Sequence, residues 1–453
     1  MEFTDFSFLL VFLPIAIFFF YMSSIKVRPY VLLSMSLLFY ALGQLDFVLM
    51  LIGITVINIV ILMILGNGKG LTRVIRLILL VAGIAINVGI LMAFKYSDSL
   101  LLPLGLSFYV FKAVSLIVDC YKRTVEVESP IDVFNYLTFF GQVQSGPISR
   151  FDPKLKDELR KGLDISLFSN GVQRFLIGFS KKVLLANVLV KVTDEVFACE
   201  APSMPYAWIG SICFSLQLYY DFSGYSDMAI GISNMFGMQC SENFQYPYAT
   251  ESIGDFWRRW HISLGQWFRD YVYIPLGGSK VKLSRTLLNL GIVWILTGIW
   301  HGNTSGFLFW GIGYFVLIAF EKITGWPAKF KSFFSKAIYR LFSLLMINFQ
   351  WVLFYFGETI PAFNFIKRMV LPSENNITTS RAIFLLNNYK IFIVMSVVFA
   401  TPIAPVIMRL CKRKRGIDVV ANMIYAIVVL GLFVLSMSMI VSGESNPFLY
   451  VGF

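Results

Sequence analysis

Two histidines are the residues of this chain best suited to proton-transfer chemistry, and the sequence contains no third. His261 and His301 each directly follow a tryptophan, and both lie between Glu251 and Trp310. Imidazole is the one side chain whose unperturbed pKa lets it take up and return a proton near neutral pH. This stretch is therefore the first place to look for general acid–base catalysis.

His301 is the stronger candidate for a general base. It ends an apolar run, Leu287 to Trp300, and precedes Gly302, which allows a close approach of backbone or substrate. An ionisable residue at membrane depth is costly and is by default a functional site. The alternative that remains open is a hydrogen-bonded structural histidine at a helix end.

His261 has a different setting, because it is surrounded by cations. Arg258, Arg259 and Arg269 lie close to it in the sequence. It is either a second functional residue or part of a basic helix at the membrane interface.

Composition identifies the elements that must position these residues. The chain is 57% hydrophobic and 14% charged, whereas an ordinary soluble domain carries about 25% charged residues, so it is a polytopic membrane protein. Its net charge of +12 comes from Lys and Arg in short loops between apolar runs, which is typical of cytoplasmic loops and not of a nucleic-acid groove. The five scattered cysteines indicate small buried side chains.

Apolar runs separated by basic and uncharged loops predict the transmembrane topology, with the N-terminus outside. Segment 357–390 is predicted to be an external loop. The predicted spans are 8–21, 30–42, 47–65, 78–94, 100–118, 287–300, 307–320, 341–356, 391–407 and 419–441.

Four further segments do not read as clean spans. Segment 131–150, which contains Gln142, is broken by Gly and Pro and predicts a re-entrant segment that lines a cavity. Segment 170–190 predicts a tilted or interfacial helix. Segment 208–238 predicts more than one helix, with an interruption at Asp221 to Gly224. Asp221 and Asp227 must face protein, water or a cation, and a structural ion pair and a catalytic role both remain open.

Segment 252–285 is too charged to span and predicts an amphipathic helix at the cytoplasmic headgroups, since tryptophans recur beside arginines. No soluble domain is evident. We therefore expect a single membrane-embedded domain, 1–453, with N-terminal helices in 1–123, a catalytic core in 124–320 and C-terminal helices in 321–453.

Several enzyme classes are excluded by their missing motifs. The two histidines have no companion ligands at zinc spacing, so we expect no metal. No GxxxxGK[ST] loop and no GxSxG elbow occur, which argues against ATP-driven transport and a self-contained serine hydrolase. A histidine in an apolar cavity suits removal of a proton from an alcohol that attacks a thioester, with return of the proton to the leaving thiol.

The run GDFWRRWHISLGQWFRDYVYIPLGG, followed by TGIWHG, resembles the central signature of the membrane-bound O-acyltransferase family. The resemblance is to the bacterial branch of alginate O-acetylation, and it continues in GPISRF, FLIGFSKKVLLAN, LQLYYDFSGYSDMAIGISNMFGM, NFQYPY and the tail NPFLYVGF. SGPISRF and Lys112-Ala113-Val114 are also similar to the D-alanyl transfer protein of teichoic acid modification.

The resemblance implies roles for individual residues. His301 corresponds to the histidine of the family's WHG motif and would be the catalytic base, and His261 is a second important position in the tunnel. The implied fold is a ring of about 11 or more tilted helices with re-entrant segments around a central funnel. The expected tunnel-lining residues are Trp300, Asp221, Tyr220, Gln142, Asp255, Arg258 and Trp257.

The resemblance also implies the reaction. It is the transfer of an acyl group, acetyl being favoured, from a cytoplasmic thioester such as acetyl-CoA to a cell-surface polysaccharide or to an extracytoplasmic SGNH-type acetyltransferase partner. The protein would lie in the lipid of the bacterial plasma membrane, hold no bound cofactor and bind no nucleic acid. The alternatives are D-alanyl transfer from an acyl-carrier protein and a non-enzymatic transporter, although no two matching halves support a transporter.

Overall fold

The computed structural model describes residues 1–67, 70–97, 99–372, 375–411 and 417–443, and within these ranges all regular structure is helical. The predicted all-α class is confirmed. The helices are α1 (Leu13–Met22), α2 (Arg28–Gln44), α3 (Val48–Asn67), α4 (Arg73–Lys95), α5 (Leu106–Lys122), α6 (Pro130–Thr138), α7 (Phe140–Val143), α8 (Leu155–Glu158), α9 (Ile165–Ser180), α10 (Asn187–Phe197), α11 (Met204–Met235), α12 (Ile253–Arg259), α13 (Ile262–Phe268), α14 (Leu283–His301), α15 (Ser305–Thr324), α16 (Trp326–Lys329), α17 (Phe333–Phe356), α18 (Thr359–Val370), α19 (Asn376–Phe399), α20 (Ile403–Cys411) and α21 (Ile417–Val441).

The apolar helices make this a multi-pass membrane protein. In the described ranges, seven helical segments are long and apolar enough to cross a bilayer, and Phe8–Met22 forms a shorter apolar helix. The seven are Arg28–Gly66, Arg73–Lys95, Leu283–His301, Ser305–Thr324, Phe333–Phe356, Ile377–Phe399 and Val419–Val441.

Contacts divide the chain into two units. Of the described residues, the first contains Met1–Phe179 and Tyr225–Glu242, and the second contains Ser180–Gly224 and those between positions 243 and 443. In the first unit the aromatic rings of Phe8, Phe12, Phe39 and Phe140 pack together, with centroids 5.3 to 6.4 Å apart. Segment 131–150 is broken as predicted, because helix α6 ends at Thr138 and α7 is a single short turn.

One prediction for segment 208–238 is wrong. Helix α11 runs without interruption for 32 residues through Asp221 to Gly224. The carboxylate of Asp221 does not break it, because Lys182 Nζ lies 2.5 Å from Asp221 Oδ1 and neutralises the charge inside the protein. A buried acid with such a partner is compatible with a helix interior.

The predicted external loop at 357–390 is also wrong. Two helices lie there, α18 and the first part of α19. Ala362, Phe365 and Met369 of α18 are buried, and their spacing places them on one face of a helix. The predicted span at 391–407 is likewise displaced, since α19 ends at Phe399 and α20 begins at Ile403, after Pro402.

Candidate active site

His301 is the last residue of α14 and lies among aromatic rings. Its ring centroid is 4.4 Å from that of Trp300, 4.8 Å from Trp310, 5.0 Å from Phe354 and 6.2 Å from Phe307. Only 6% of the residue is exposed. The imidazole of His301, with Trp300 beside it, therefore lies in a buried and apolar environment.

Two glycines bring α14 close to α15 at this point. A Cβ on Gly298 would lie 2.7 Å from Phe307 O, and one on Gly302 would lie 2.5 Å from Phe307 Cδ2. Neither position has room for a side chain. Gly302 therefore leaves room for the ring of Phe307 near His301. The approach of a substrate at this glycine stays a prediction.

Trp257 joins the same aromatic cluster from α12. Its ring lies 4.8 Å from Trp294, 5.8 Å from Trp310 and 4.8 Å from Tyr314. Trp257 was predicted to line the tunnel. In the structure only the ring of Trp310 lies between Trp257 and His301. Sequence reasoning did not single out Trp294, Trp310, Tyr314 or Trp351, because aromatic residues at helical spacing are usually core.

The predicted amphipathic helix over 252–285 is wrong, because the chain breaks at His261. Helix α12 ends at Arg259 and α13 starts at Ile262, and His261 adopts a left-handed conformation with φ +44°. The break is stabilised by a neighbouring segment: Gln245 N donates to Arg259 O at 2.9 Å, and Ile262 N donates to Asn243 O at 2.9 Å. A strained residue held in this way is typical of a functional site.

The surroundings of His261 fix its protonation state. Its Nδ1 lies 3.1 Å from Asn243 Oδ1, and a carbonyl oxygen only accepts, so the proton is on Nδ1 and Nε2 keeps its lone pair. Nε2 has no hydrogen-bond partner among the described residues. Burial lowers the pKa of His261 to about 3, so its imidazole is neutral at physiological pH.

Aromatic rings connect the two imidazoles. Phe222 and Phe244 contact His261, at 4.7 and 6.4 Å. From Phe244 the rings of Trp260, Trp351 and Phe354 follow at 5.0, 4.9 and 5.6 Å, and Phe354 contacts His301. The two histidines therefore lie at opposite ends of one series of contacting aromatic rings.

Tyr220 and Asp221 lie beside the ring that covers His261. The Tyr220 hydroxyl donates to Ser396 O at 2.5 Å, and Asp221 pairs with Lys182, both side chains being almost fully buried. Phe222, the next residue, contacts His261. The sequence left two roles open for Asp221, a structural ion pair and catalysis. The structure contains the ion pair, with Lys182.

We expect Asp221→Asn to destabilise the protein by about 3–5 kcal/mol, because it leaves the Lys182 ammonium buried without its carboxylate. The measurement is thermal and denaturant unfolding in detergent. The double variant Asp221→Leu with Lys182→Met removes both charges and should recover most of the lost stability. Wild-type stability in Asp221→Asn together with lost activity would instead indicate a catalytic carboxylate.

Gln142 and Asp227 belong to networks of the first unit. Gln142 Oε1 accepts from Lys112 Nζ and from Ser149 Oγ, both at 2.8 Å, and its Nε2 donates to Ser233 Oγ at 3.0 Å. Asp227 pairs with Arg174 at 2.6 Å. The role of Gln142 in a tunnel stays a prediction.

Asp255 and Arg258 line a cavity of about 300 Å³. Arg259 Nε lies 2.9 Å from Asp255 Oδ2, and Arg258 lies 3.5 Å from Asp255 Oδ1. Burial alone would raise the pKa of Asp255, but the Glu251 N–H and the two guanidinium groups together lower it. With Lys336 included, this cavity has three cations against the two carboxylates of Asp255 and Glu251.

Glu321 anchors α12 beside this cavity, and sequence reasoning missed it. Its carboxylate accepts from Ile253 N at 2.7 Å, from Gly254 N at 2.8 Å and from the Tyr339 hydroxyl at 2.8 Å. A carboxylate is stabilised by the free N–H groups at a helix start. The signal in the sequence was an acid at the end of an apolar helix.

A second cavity, of about 750 Å³, lies at the other end of α17. Phe356 and Phe365 supply apolar walls, and Lys367 and Arg368 supply two cations against Glu200. Lys336 lines the first cavity and Phe356 the second, so along α17 the cavities are about 30 Å apart. His301 contacts Phe354, so along the axis of α17 it lies at the level of the end that lines the second cavity, although neither His301 nor Phe354 lines that cavity.

A multi-pass membrane protein with a buried imidazole, surrounded by aromatic rings and beside a helix whose two ends line separate cavities, has the features of a membrane-embedded enzyme. The model of the membrane-bound O-acyltransferase family matches residues 32–357, a range that includes both histidines. The chain belongs to the membrane-bound O-acyltransferase family and is an acyltransferase.

Three similar proteins are consistent with that family. The chain is 38% identical over 376 residues to a probable alginate O-acetylase of Pseudomonas syringae pv. tomato, which covers 78% of this chain and 72% of the relative. It is 31% identical over 383 residues to a peptidoglycan O-acetyltransferase of Helicobacter pylori, and the match covers 74% of this chain and 72% of the relative. It is 31% identical over 248 residues to a teichoic acid D-alanyltransferase of Bacillus subtilis, and this match covers 50% of this chain and 61% of the relative.

Proposed function

We propose that the protein transfers an acetyl group from a cytoplasmic thioester, such as acetyl-CoA, to a hydroxyl on the outer face of the bacterial plasma membrane. The observation that carries this proposal is the buried imidazole of His301 beside Phe354 of α17, the helix whose two ends line separate cavities. The longer match to O-acetyltransferases than to the D-alanyltransferase favours acetyl.

In the proposed reaction His301 takes the proton of the acceptor hydroxyl, whose oxygen then attacks the thioester carbonyl carbon. The C–S bond breaks, and the leaving thiolate recovers the proton from His301. His261 acts beside it as a neutral imidazole whose Nε2 accepts a hydrogen bond from a substrate.

The two cavities have the charge that the two substrates need. The cavity with Arg258, Arg259 and Lys336 suits the phosphates of the donor, which makes it the cytoplasmic entrance. The cavity with Lys367 and Arg368 lies at the His301 end and suits an anionic acceptor, either a polysaccharide or an SGNH-type acetyltransferase partner. We also propose an external N-terminus and a ring of about 11 or more tilted helices around a funnel, as the resemblance to the family implies.

A donor panel tests the chemistry. We expect the purified protein in lipid nanodiscs to transfer the acetyl group of acetyl-CoA to an oligosaccharide acceptor or to a purified SGNH-type partner. D-alanine presented on an acyl-carrier protein should be transferred at least about tenfold more slowly, because a site selective by about 1.4 kcal/mol reaches that ratio. Preference for the D-alanyl carrier would replace the acetyl proposal with its alternative, and transport without acyl transfer would remove both.

A further inference from the structure

Four buried hydrogen-bond donors in the His301 cluster have no acceptor among the described residues. They are the indole N–H groups of Trp257, Trp310 and Trp351 and the hydroxyl of Tyr314. Trp310, Tyr314 and Trp351 are each 1% exposed or less. More than nine buried polar groups in ten are hydrogen-bonded in proteins, so four exceptions in one cluster require an explanation.

The four side chains form one contiguous group. The ring centroid of Trp257 lies 4.8 Å from that of Tyr314 and 5.8 Å from that of Trp310. Trp310 lies 5.2 Å from Tyr314 and 6.2 Å from Trp351. The four rings that carry the donors are therefore neighbours.

This group lies between His301 and the cavity with Arg258. Trp310 contacts His301 at 4.8 Å, and Tyr314 lies one turn further along α15, about 6 Å away by helical rise. Glu321, two turns beyond Tyr314, binds Tyr339, which lines the cavity. Along α15, Trp310 and Tyr314 therefore lie between His301 and the end of the helix beside this cavity.

We propose that Trp310 and Tyr314 form a binding site for the oxygen atoms of an amide-bearing thioester arm. This inference rests on the proposed function. Trp310 N–H holds the thioester carbonyl oxygen as the acceptor oxygen bonds to the acyl carbon and the carbonyl π electrons move onto that oxygen. When the oxyanion collapses, the C–S bond breaks and the thiolate takes the proton from His301. The Tyr314 hydroxyl binds an amide carbonyl further along the arm.

Preorganised donors at a developing oxyanion act mainly on the chemical step, whereas a donor to a distant carbonyl acts on binding. Replacing Trp310 with benzothienylalanine keeps the bicyclic ring and removes the N–H. We expect this to lower kcat about 100-fold with the donor KM within about twofold of wild type. Tyr314→Phe should raise the donor KM about five- to tenfold and leave kcat nearly unchanged.

The unfolding temperature of Tyr314→Phe distinguishes a substrate-binding role of the Tyr314 hydroxyl from a structural one. An unpartnered buried hydroxyl costs free energy, so Tyr314→Phe should unfold at the same temperature as wild type or higher. The matched control is Tyr109→Phe, because the Tyr109 hydroxyl is buried and bonded, accepting from Asn58 Nδ2 at 3.1 Å and donating to Thr55 Oγ1 at 3.3 Å. That variant should melt lower and keep its donor KM.

The inference is overturned if Tyr314→Phe keeps a wild-type donor KM, or if it melts lower than wild type as Tyr109→Phe does. Unchanged kcat in the benzothienylalanine variant removes the oxyanion role and shows that the indole N–H groups only face neighbouring rings. The wild-type protein must transfer acetyl in the same assay. A wild-type protein without activity contradicts the proposed function itself and not this assignment.

Discussion

Replacing His301 with Gln should slow acyl transfer by orders of magnitude while donor binding persists. A glutamine fits the space of the imidazole but cannot take up a proton, so the rate should fall by about 10²–10⁴-fold, the usual contribution of a general base. The aromatic walls formed by Trp300, Trp310 and Phe354 are unchanged in this variant. The measurement is the rate of labelled acetyl transfer under single-turnover conditions, together with binding of a non-reactive thioether analogue of the donor.

The matched control is His261→Gln, the same substitution in the other Trp-His pair. The imidazole of His261 is already neutral and contacts Phe222 and Phe244 instead of Trp310. We expect its substitution to lower turnover by about tenfold or less, because that is the effect of losing one hydrogen bond to the substrate. If the two variants lose activity equally, or if His301→Gln remains active, His301 is not the sole base.

The second large effect concerns the cavity with Arg258, Arg259 and Lys336. Charge-assisted hydrogen bonds to phosphate are each worth about 1.5–3 kcal/mol. Replacing all three with Ala should therefore raise the KM for acetyl-CoA by at least about 100-fold, whereas kcat at saturation changes little because His301 is distant. Rising ionic strength should weaken wild-type binding and have less effect on the variant.

A donor without phosphates provides the decisive comparison for this cavity. Acetyl-pantetheine keeps the thioester arm, so wild type and triple variant should use it with similar KM. Lys331→Ala is the matched protein control, because Lys331 is an exposed lysine near α17 that does not line the cavity. A triple variant with wild-type KM for acetyl-CoA would place the donor elsewhere.

Much of the site was accessible from sequence because its chemistry is carried by rare residues. Two histidines in an apolar chain, each after a tryptophan, directed attention to the elements of the candidate site, and the predicted run 287–300 lies within α14. The face of α18 was also readable, since Ala362, Phe365 and Met369 recur at helical spacing, although the segment was assigned to a loop.

Other features depended on partners that are distant in sequence. The continuity of α11 depends on Lys182, whose contact with Asp221 no local pattern reveals. The break at His261 depends on Asn243 and Gln245, which satisfy the backbone there. The unpartnered donors of Trp310 and Tyr314 become noticeable only when every neighbouring acceptor is known.

The central claim is that one imidazole is reached by a thioester from one face of the membrane and by a hydroxyl from the other. The most direct measurement uses vesicles in which the protein has a single orientation, with a membrane-impermeant labelled acetyl thioester and an acceptor placed on chosen sides. We expect transfer when the thioester is on the side of Arg258 and the acceptor is on the side of Lys367. Transfer only when both substrates share one side would contradict it.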